Sequence, residues 1–336
     1  MTEALRKPDA LRRNLLMLRC VGLWPEGKKY FTNTNYTYYS IWMVIFFLIL
    51  DYLAVSSTMF YCYGDWEMLS NRVSYFAQRS ITLVQVIFFL RKLVVTKTIM
   101  EQLDQDIIQP KTFAECEIVR RSLTSYFFIT TSYFLFCSIT CVIYLLLPFL
   151  MGERRYPFEV WYPLQDLASP LYEIVYVHQC VAVWLNHLIH TGVDMLCAGL
   201  MATIGSQCDL LRARLVNFQP RETKFGRYDL YFRDIFAHHR EILLLSKRVN
   251  VLFSHLVFGE ISLVIILLCT ALFRLSAVVD KAPFEFLLLG AFAFAMTLQL
   301  FLYCWFGSEV FSKIMKSSWS FYVLLQQMNA NEANSP

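Results

Sequence analysis

The chain has 336 residues, of which 57% are hydrophobic and 17% charged, with a net charge of +4 and a mean hydropathy of +0.45. Soluble globular chains run near 45–50% apolar and about 25% charged, so a water-soluble protein is excluded; 11 Gly and 10 Pro against 29 Phe exclude disorder and low complexity. The small charge, without a long Lys/Arg run, also excludes a nucleic-acid binder, which leaves a polytopic membrane protein.

A hydrocarbon core of about 30 Å needs about 20 mostly apolar helical residues. The first 29 residues hold seven Lys/Arg and no secretory signal. Six stretches then meet the length test. Span one is Ile41 to Tyr63, interrupted only by Asp51, and span two is Val73 to Leu90, shorter and carrying Arg79. Span three, Tyr126 to Leu150, is uncharged. Span four, Leu171 to Ile204, holds Glu173, His178, His187, His190 and Asp194 and is too long to stand perpendicular, so it tilts or projects beyond the bilayer. Span five, Val249 to Phe273, surrounds Glu260, and span six, Phe286 to Phe306, is uncharged. Between spans four and five, Cys208, Leu211, Leu215, Leu230, Phe232, Ile235, Phe236, Ile242, Leu243, Leu245 and Val249 recur near helical spacing, which predicts amphipathic helices extending inward, with assembly as their role. The expected division is a cytoplasmic segment at 1–40, a transmembrane bundle at 41–306 with a cytoplasmic helical extension at 205–249, and a truncated terminal helix with a polar tail at 307–336.

Cytoplasmic loops carry the excess of Lys and Arg. Alternate loops hold 24 on one side, that of the N-terminus, and 5 on the other, which predicts an intracellular N-terminus. That orientation, and the lack of an acidic-Arg-Tyr triplet after span three, exclude a G-protein-coupled receptor.

Little in the sequence points to chemistry. The ten cysteines are scattered without C-x-x-C spacing and read as small apolar packers. His187, His190 and Asp194 share a helical face where a metal could bind, with His238-His239 as further ligands, yet six histidines without histidine boxes favour no metal and no enzyme. Nucleophile-elbow, P-loop and H-E-x-x-H motifs are absent. Charges inside spans are costly and suspect; Arg79, Glu173 and Glu260 are expected to face one another if the bundle brings them together, as a structural ion pair before a binding role.

Four segments in order carry a family pattern. Arg155-Tyr156-Pro157-Phe158-Glu159-Val160-Trp161-Tyr162-Pro163 running into Ser169-Pro170-Leu171-Tyr172-Glu173 resembles the second outer loop and fourth helix of insect odorant receptors. His238-His239-Arg240-Glu241-Ile242 resembles the start of their fifth helix, Leu298 to Trp305 the end of their sixth, and Lys316 to Leu325 their terminal helix signature, here Ser318, Ser320, Phe321 and Tyr322. The resemblance implies a seven-helix subunit of a non-selective cation channel in the plasma membrane of sensory neurons, gated by odorants, made with a co-receptor, and needing no cofactor. It implies a pocket among helices two to six, for which position suggests Phe76, Arg79, Leu83, Tyr144, Tyr176, Gln179 and Phe292, and a pore at the terminal helix. A gustatory receptor of the same superfamily is the nearest alternative, a transporter or membrane enzyme the more distant one.

The pattern departs in one place. Only a few residues separate Trp305 from the terminal signature, and Ile314 to Met328 is too short to cross a bilayer alone. A segment before a seventh helix is therefore expected to be missing, as in a splice form or an incomplete gene model. Span six continuing as one long helix is preferred to a strained hairpin that leaves a remnant seventh span.

Overall fold

The computed structural model describes residues 9–25, 34–60, 66–152, 154–158, 160, 169–216, 225–278 and 283–333. Eight α-helices and no strands are found among them: α1 (Asp9–Cys20), α2 (Thr34–Met43), α3 (Leu50–Phe60), α4 (Trp66–Leu103), α5 (Phe113–Leu150), α6 (Leu171–Val216), α7 (Phe225–Val278) and α8 (Pro283–Ala333). A π-helical stretch, Val44–Ile49, joins α2 to α3. The widened turn is steadied from outside, because His178 Nε2–H donates to the Phe46 carbonyl oxygen (2.9 Å).

Five helices among the described residues are long and apolar enough to cross a membrane. Span two is not among them, although α4 has the length, at 38 residues. The helices overrun the bilayer. α6 at 46 residues and α7 at 54 are roughly 70 and 80 Å long at 1.5 Å per residue, so span four projects beyond the apolar layer. α8 runs through positions 306 and 307 without interruption, so the end of span six and the terminal signature share one helix.

α6 is the axis of the bundle. Of its most apolar 18 residues 83% are buried, against 22–33% for the other four apolar helices, and every residue from Thr191 to Leu200 is buried. A helix enclosed on all sides needs small residues where neighbours cross. A Cβ on Gly199 would stand 2.5 Å from Leu11 Cδ2 and 2.8 Å from Tyr126 Oη, so a side chain there forces Leu11 and Tyr126 to shift.

α1 fills this side of the bundle. Leu11 and Leu18 are buried on α6, Asn14 Nδ2 donates to Tyr126 Oη (2.7 Å), and Tyr126 donates in turn to the Met195 carbonyl oxygen (3.0 Å). A left-handed Gly22 ends α1 (φ +92°), with Leu23 N–H bonded to Leu18 O and Gly22 N–H to Arg19 O. This is the paired-bond helix stop that also sets Leu23 against Leu18. The same turn seats α2, because Ser40 Oγ donates to Gly22 O (2.5 Å).

The polar end of the bundle is tied by two cations. Arg214 Nε and Nη2 bond Glu115 at 3.0 and 2.9 Å, and the same guanidinium reaches the carbonyls of Ile107 and Gln109. Glu115 is itself fixed by the cap of α5, where Thr112 Oγ1 accepts from Glu115 N–H and Glu115 accepts from Lys111 N–H. Lys313 on α8 pairs with Asp209 and Glu309, both at 2.8 Å.

Candidate functional site: a cavity between five helices

At the opposite end, α4, α5, α6, α7 and α8 enclose a cavity of about 570 Å³, within the usual range for small-molecule sites. Its walls follow helical spacing. α5 contributes Tyr133, Cys137, Cys141, Tyr144 and Pro148, α7 contributes Glu260, Val264, Leu267, Ala271 and Arg274, and α8 contributes Glu285, Leu288, Phe292 and Met296. Each set steps by three or four residues, so one face of each helix is presented to the same space.

The cavity ends beneath the loop after α5. A left-handed Gly152 turns the chain out of that helix (φ +67°), and Phe158, buried, is placed over the opening. Gln179 holds it by both backbone groups: Phe158 N–H donates to Gln179 Oε1 and Gln179 Nε2 donates to Phe158 O, each at 3.3 Å. The rings of Tyr75 and Tyr144 lie 4.7 and 5.1 Å from that of Phe158, and their hydroxyls are bonded to each other (2.7 Å). The Arg79 guanidinium stands 5.4 Å over the same ring.

Three of the seven residues expected at a pocket, Arg79, Tyr144 and Phe292, line the cavity. The other four are outside its lining. Gln179 acts through Phe158, Tyr176 Oη donates to Leu145 O (2.7 Å) and braces α5, Phe76 has its ring 5.8 Å from that of Tyr52, and Leu83 is half-buried on α4. Sequence reasoning missed Phe158, Tyr75, Tyr133 and His190 as wall residues. The position one helical turn before Arg79 would have found Tyr75.

The intramembrane charges pair differently from expectation. Arg79, Glu173 and Glu260 do not meet: Arg79 Nε is 2.6 Å from Asp51 Oδ2, both buried, and Glu173 accepts from Ser169 Oγ on the exposed edge (2.9 Å). The reason is register, since Asp51 on α3 lies beside α4 at the height of Arg79.

Glu260 belongs to a separate polar cluster at the cavity's inner end. One ligand atom from each of His190, Asp194 and Glu260 lies within 4.8 Å of the others. Tyr133 Oη donates to Asp194 Oδ2 (2.9 Å). Tyr303 Oη is bonded to Asp194 Oδ1 (2.6 Å) and also to Glu260 Oε2, and Gln85 Nε2 donates to Glu260 Oε1. A phenol has one hydrogen, so both Tyr303 contacts are hydrogen bonds only when one carboxyl itself carries a proton. The face of three expected from His187, His190 and Asp194 is not assembled, because His187 turns to Ser138 Oγ (3.0 Å). His238 and His239 are remote from it, beside Gln207 and Ser318.

The terminal signature packs on the polar end of α7. Phe321 is buried and stacks on His239 with ring centroids 4.8 Å apart, near Phe232 and Phe236. Ser318 Oγ contacts His239 Nε2 (3.4 Å), Ser320 Oγ donates to Lys316 O, and Tyr322 Oη accepts from Gln326 Nε2. In the outer-loop motif, Glu159 and Trp161 to Pro163 lie outside the described residues. The cysteines among the described residues are all free thiols.

Comparison with known proteins gives a consistent result. The family model for the 7tm odorant receptor matches residues 69–323. Odorant receptor Or1 of Anopheles gambiae is 22% identical over 334 residues, covering 92% of this chain and 80% of that receptor. Odorant receptor 46a, isoform A, of Drosophila melanogaster is also 22% identical, covering 90% and 81%. The solved structure of the olfactory receptor OR5 from Machilis hrabei superposes with a TM-score of 0.76 at 16% identity, over 91% of this chain and 80% of OR5. OR5 in complex with eugenol superposes at 0.74 with 14% identity, over 91% and 87%.

Proposed function

The chain belongs to the odorant receptor family, and from that premise we propose that it is the odorant-binding subunit of a non-selective cation channel, assembled with a co-receptor in the plasma membrane of sensory neurons. The observation that carries this is the cavity: about 570 Å³ between five helices, where Leu, Val, Phe and Met side chains alternate with polar ones such as Asn186 and Thr191, has the size and the mixed lining of a small-molecule site. Arg79, Tyr144 and Phe292 are the ligand contacts in this reading. Phe76, Leu83, Tyr176 and Gln179 act behind the wall, Gln179 by holding Phe158.

The excess of Lys and Arg supports an N-terminus in the cytoplasm with the cavity in the outer half of the membrane. In this reading α4 crosses as well, its polar residues turned into the bundle, which makes the number of crossings even, and α8 passes straight from the cavity wall to the cytoplasmic end. Ser318, Ser320, Phe321 and Tyr322 then belong to the assembly base, which the co-receptor completes with the pore. Gating requires that the ligand bind the open state more tightly than the closed one.

Odorant-evoked current tests the proposal. Cells expressing the chain with the co-receptor are expected to pass inward current on odorant application and cells expressing the chain alone to pass none; solute uptake without current would overturn the channel reading. Accessibility of separate N- and C-terminal tags in intact cells tests the crossings, with both expected inside.

A further inference from the structure

We propose that the inner end of the cavity selects ligands carrying a protonated amine, an inference that rests on the cavity being the ligand site. Two carboxyls, Asp194 and Glu260, meet one imidazole, His190. Among the described residues no guanidinium pairs with them: Arg79 is committed to Asp51, and Arg274 is about 21 Å away along α7, fourteen residues from Glu260. With both carboxyls ionised, the cluster lacks a cation even when His190, 3.9 Å from Asp194, is protonated. Isolated buried charge of this kind is costly in a membrane interior and calls for a partner.

Hydrogen counting gives the same result independently. Tyr303 has a single hydrogen for Asp194 Oδ1 and Glu260 Oε2. The carboxamide heads of Gln85 and Gln299 lie against His190, their Nε2 atoms 3.2 and 2.9 Å from its ring nitrogens. Both glutamines are fully buried, and the Oε1 atom of each has no hydrogen-bond partner. With both carboxyls ionised, one of the two oxygens that face Tyr303 is left without a hydrogen, a deficit that a proton on a carboxyl or a cationic ligand makes good. Water would supply hydrogens but no charge, whereas an ammonium group supplies both.

The cavity presents this deficit to a ligand. Glu260 and His190 are on its lining, while Asp194 and Tyr303 stand behind them. Ile81, Val183, Leu267, Phe292 and Met296 line the space beyond and provide for an aliphatic or aromatic body. The ligand class is thus a small amine whose head reaches Glu260 and whose body fills the apolar walls.

The test is thermal stabilisation of the purified full chain in lipid nanodiscs at neutral pH. The probes are matched pairs: 2-phenylethylamine against 2-phenylethanol, cyclohexylamine against cyclohexanol, and hexylamine against hexanol. Amines are expected to bind about 10- to 100-fold more tightly than their alcohols, the worth of a charge-assisted bond. In Glu260→Gln, which keeps the side-chain shape, the amine preference is expected to be lost and the two members of each pair to bind equally. Should that variant fail to fold, the wild-type pairs decide, with Leu267→Trp, which fills the apolar space and leaves the acidic end intact, expected to abolish the binding of both members. Equal binding of amine and alcohol by the wild type, or an amine preference surviving in folded Glu260→Gln, overturns the proposal and leaves the cavity as a site for neutral ligands. Stabilisation by sodium or zinc ions alone without amine preference also overturns it and assigns the cluster to an inorganic cation. If no pair member stabilises the protein, the ligand-site reading falls with it.

Discussion

The two ends of α6 share one helix and have opposite fates. From Thr191 to Leu200 every residue is buried, and α1 lies across Gly199 so closely that a Cβ would push Leu11 and Tyr126 aside. One turn earlier, Val183, His187 and His190 face about 570 Å³ of open space. Hydropathy does not distinguish these halves. The difference is that a small residue and an additional helix coincide at one end, while at the other the five helices splay around large side chains that brace one another, such as Tyr75 on Tyr144, rather than fill the middle.

Substitutions on the packed end and the hollow end should therefore separate into stability effects and ligand effects. The largest stability loss is expected from Arg214→Met, which strands Glu115 in a half-dry site; breaking a buried pair costs about 3–5 kcal/mol, visible as a fall in melting temperature. Gly199→Val forces Leu11 and Tyr126 apart and is expected to cost about 1–3 kcal/mol by overpacking, with Leu11→Ala in the same background restoring part of it. Recovery of none would mean that α1 does not press on α6.

Acid should loosen the polar end selectively. His238 lies there, outside the apolar stretch from Val249 to Phe273, and burial together with the neighbouring Arg214 holds its pKa down from 6.5 to about 3. Its two contacts fit the neutral ring, with Nδ1 accepting from Arg214 and Nε2–H donating to Gln207 Oε1. The unfolded chain binds a proton below pH 6.5 that the folded chain refuses, so this contribution to stability is complete above that pH and is lost as pH falls toward 3. Glu115 adds the same sign: burial pushes its carboxyl up, but the bonds from Arg214 and the Lys111 amide outweigh that and leave it below 4.5. Melting temperature measured from pH 7.5 to 4 is expected to fall, and less steeply in His238→Gln.

The smallest stability effect belongs to the hollow end. Phe292→Ala removes a half-buried ring from the cavity wall and should cost less than the roughly 3–5 kcal/mol of the same truncation in a packed core. Ligand preference is expected to move instead, by about 1–3 kcal/mol toward bulkier bodies, read as a change in rank order across a homologous series. A large loss of stability with unchanged ligand order would erase the distinction between the two ends.

The helices were legible because apolar runs of this length have one use. Spans three, five and six follow from composition alone, and the long fourth span signals its own overrun. Span two was the hardest, since its polar residues face Asp51, Glu260 and the cavity, a fact of tertiary contact. The site was half legible for the same reason. Arg79, Tyr144 and Phe292 mark the right faces of three helices, yet periodicity says only that a face is shared, not what it looks upon. Phe158 reaches the cavity through a loop, and Gln85, Glu260 and Tyr303 converge from three helices far apart in sequence, a relation that no local pattern encodes.

α8 has a mechanical consequence. Phe292 on the cavity and Phe321 against His239 stand 29 residues apart on one unbroken helix, about 44 Å of stiff rod. Such a rod turns small angles into displacement: a 5° rocking at one end swings the other by roughly 4 Å, about three-quarters of a helical turn. A ligand that tilted this end would move side chains it never approaches, the aromatic stack at Phe321 among them.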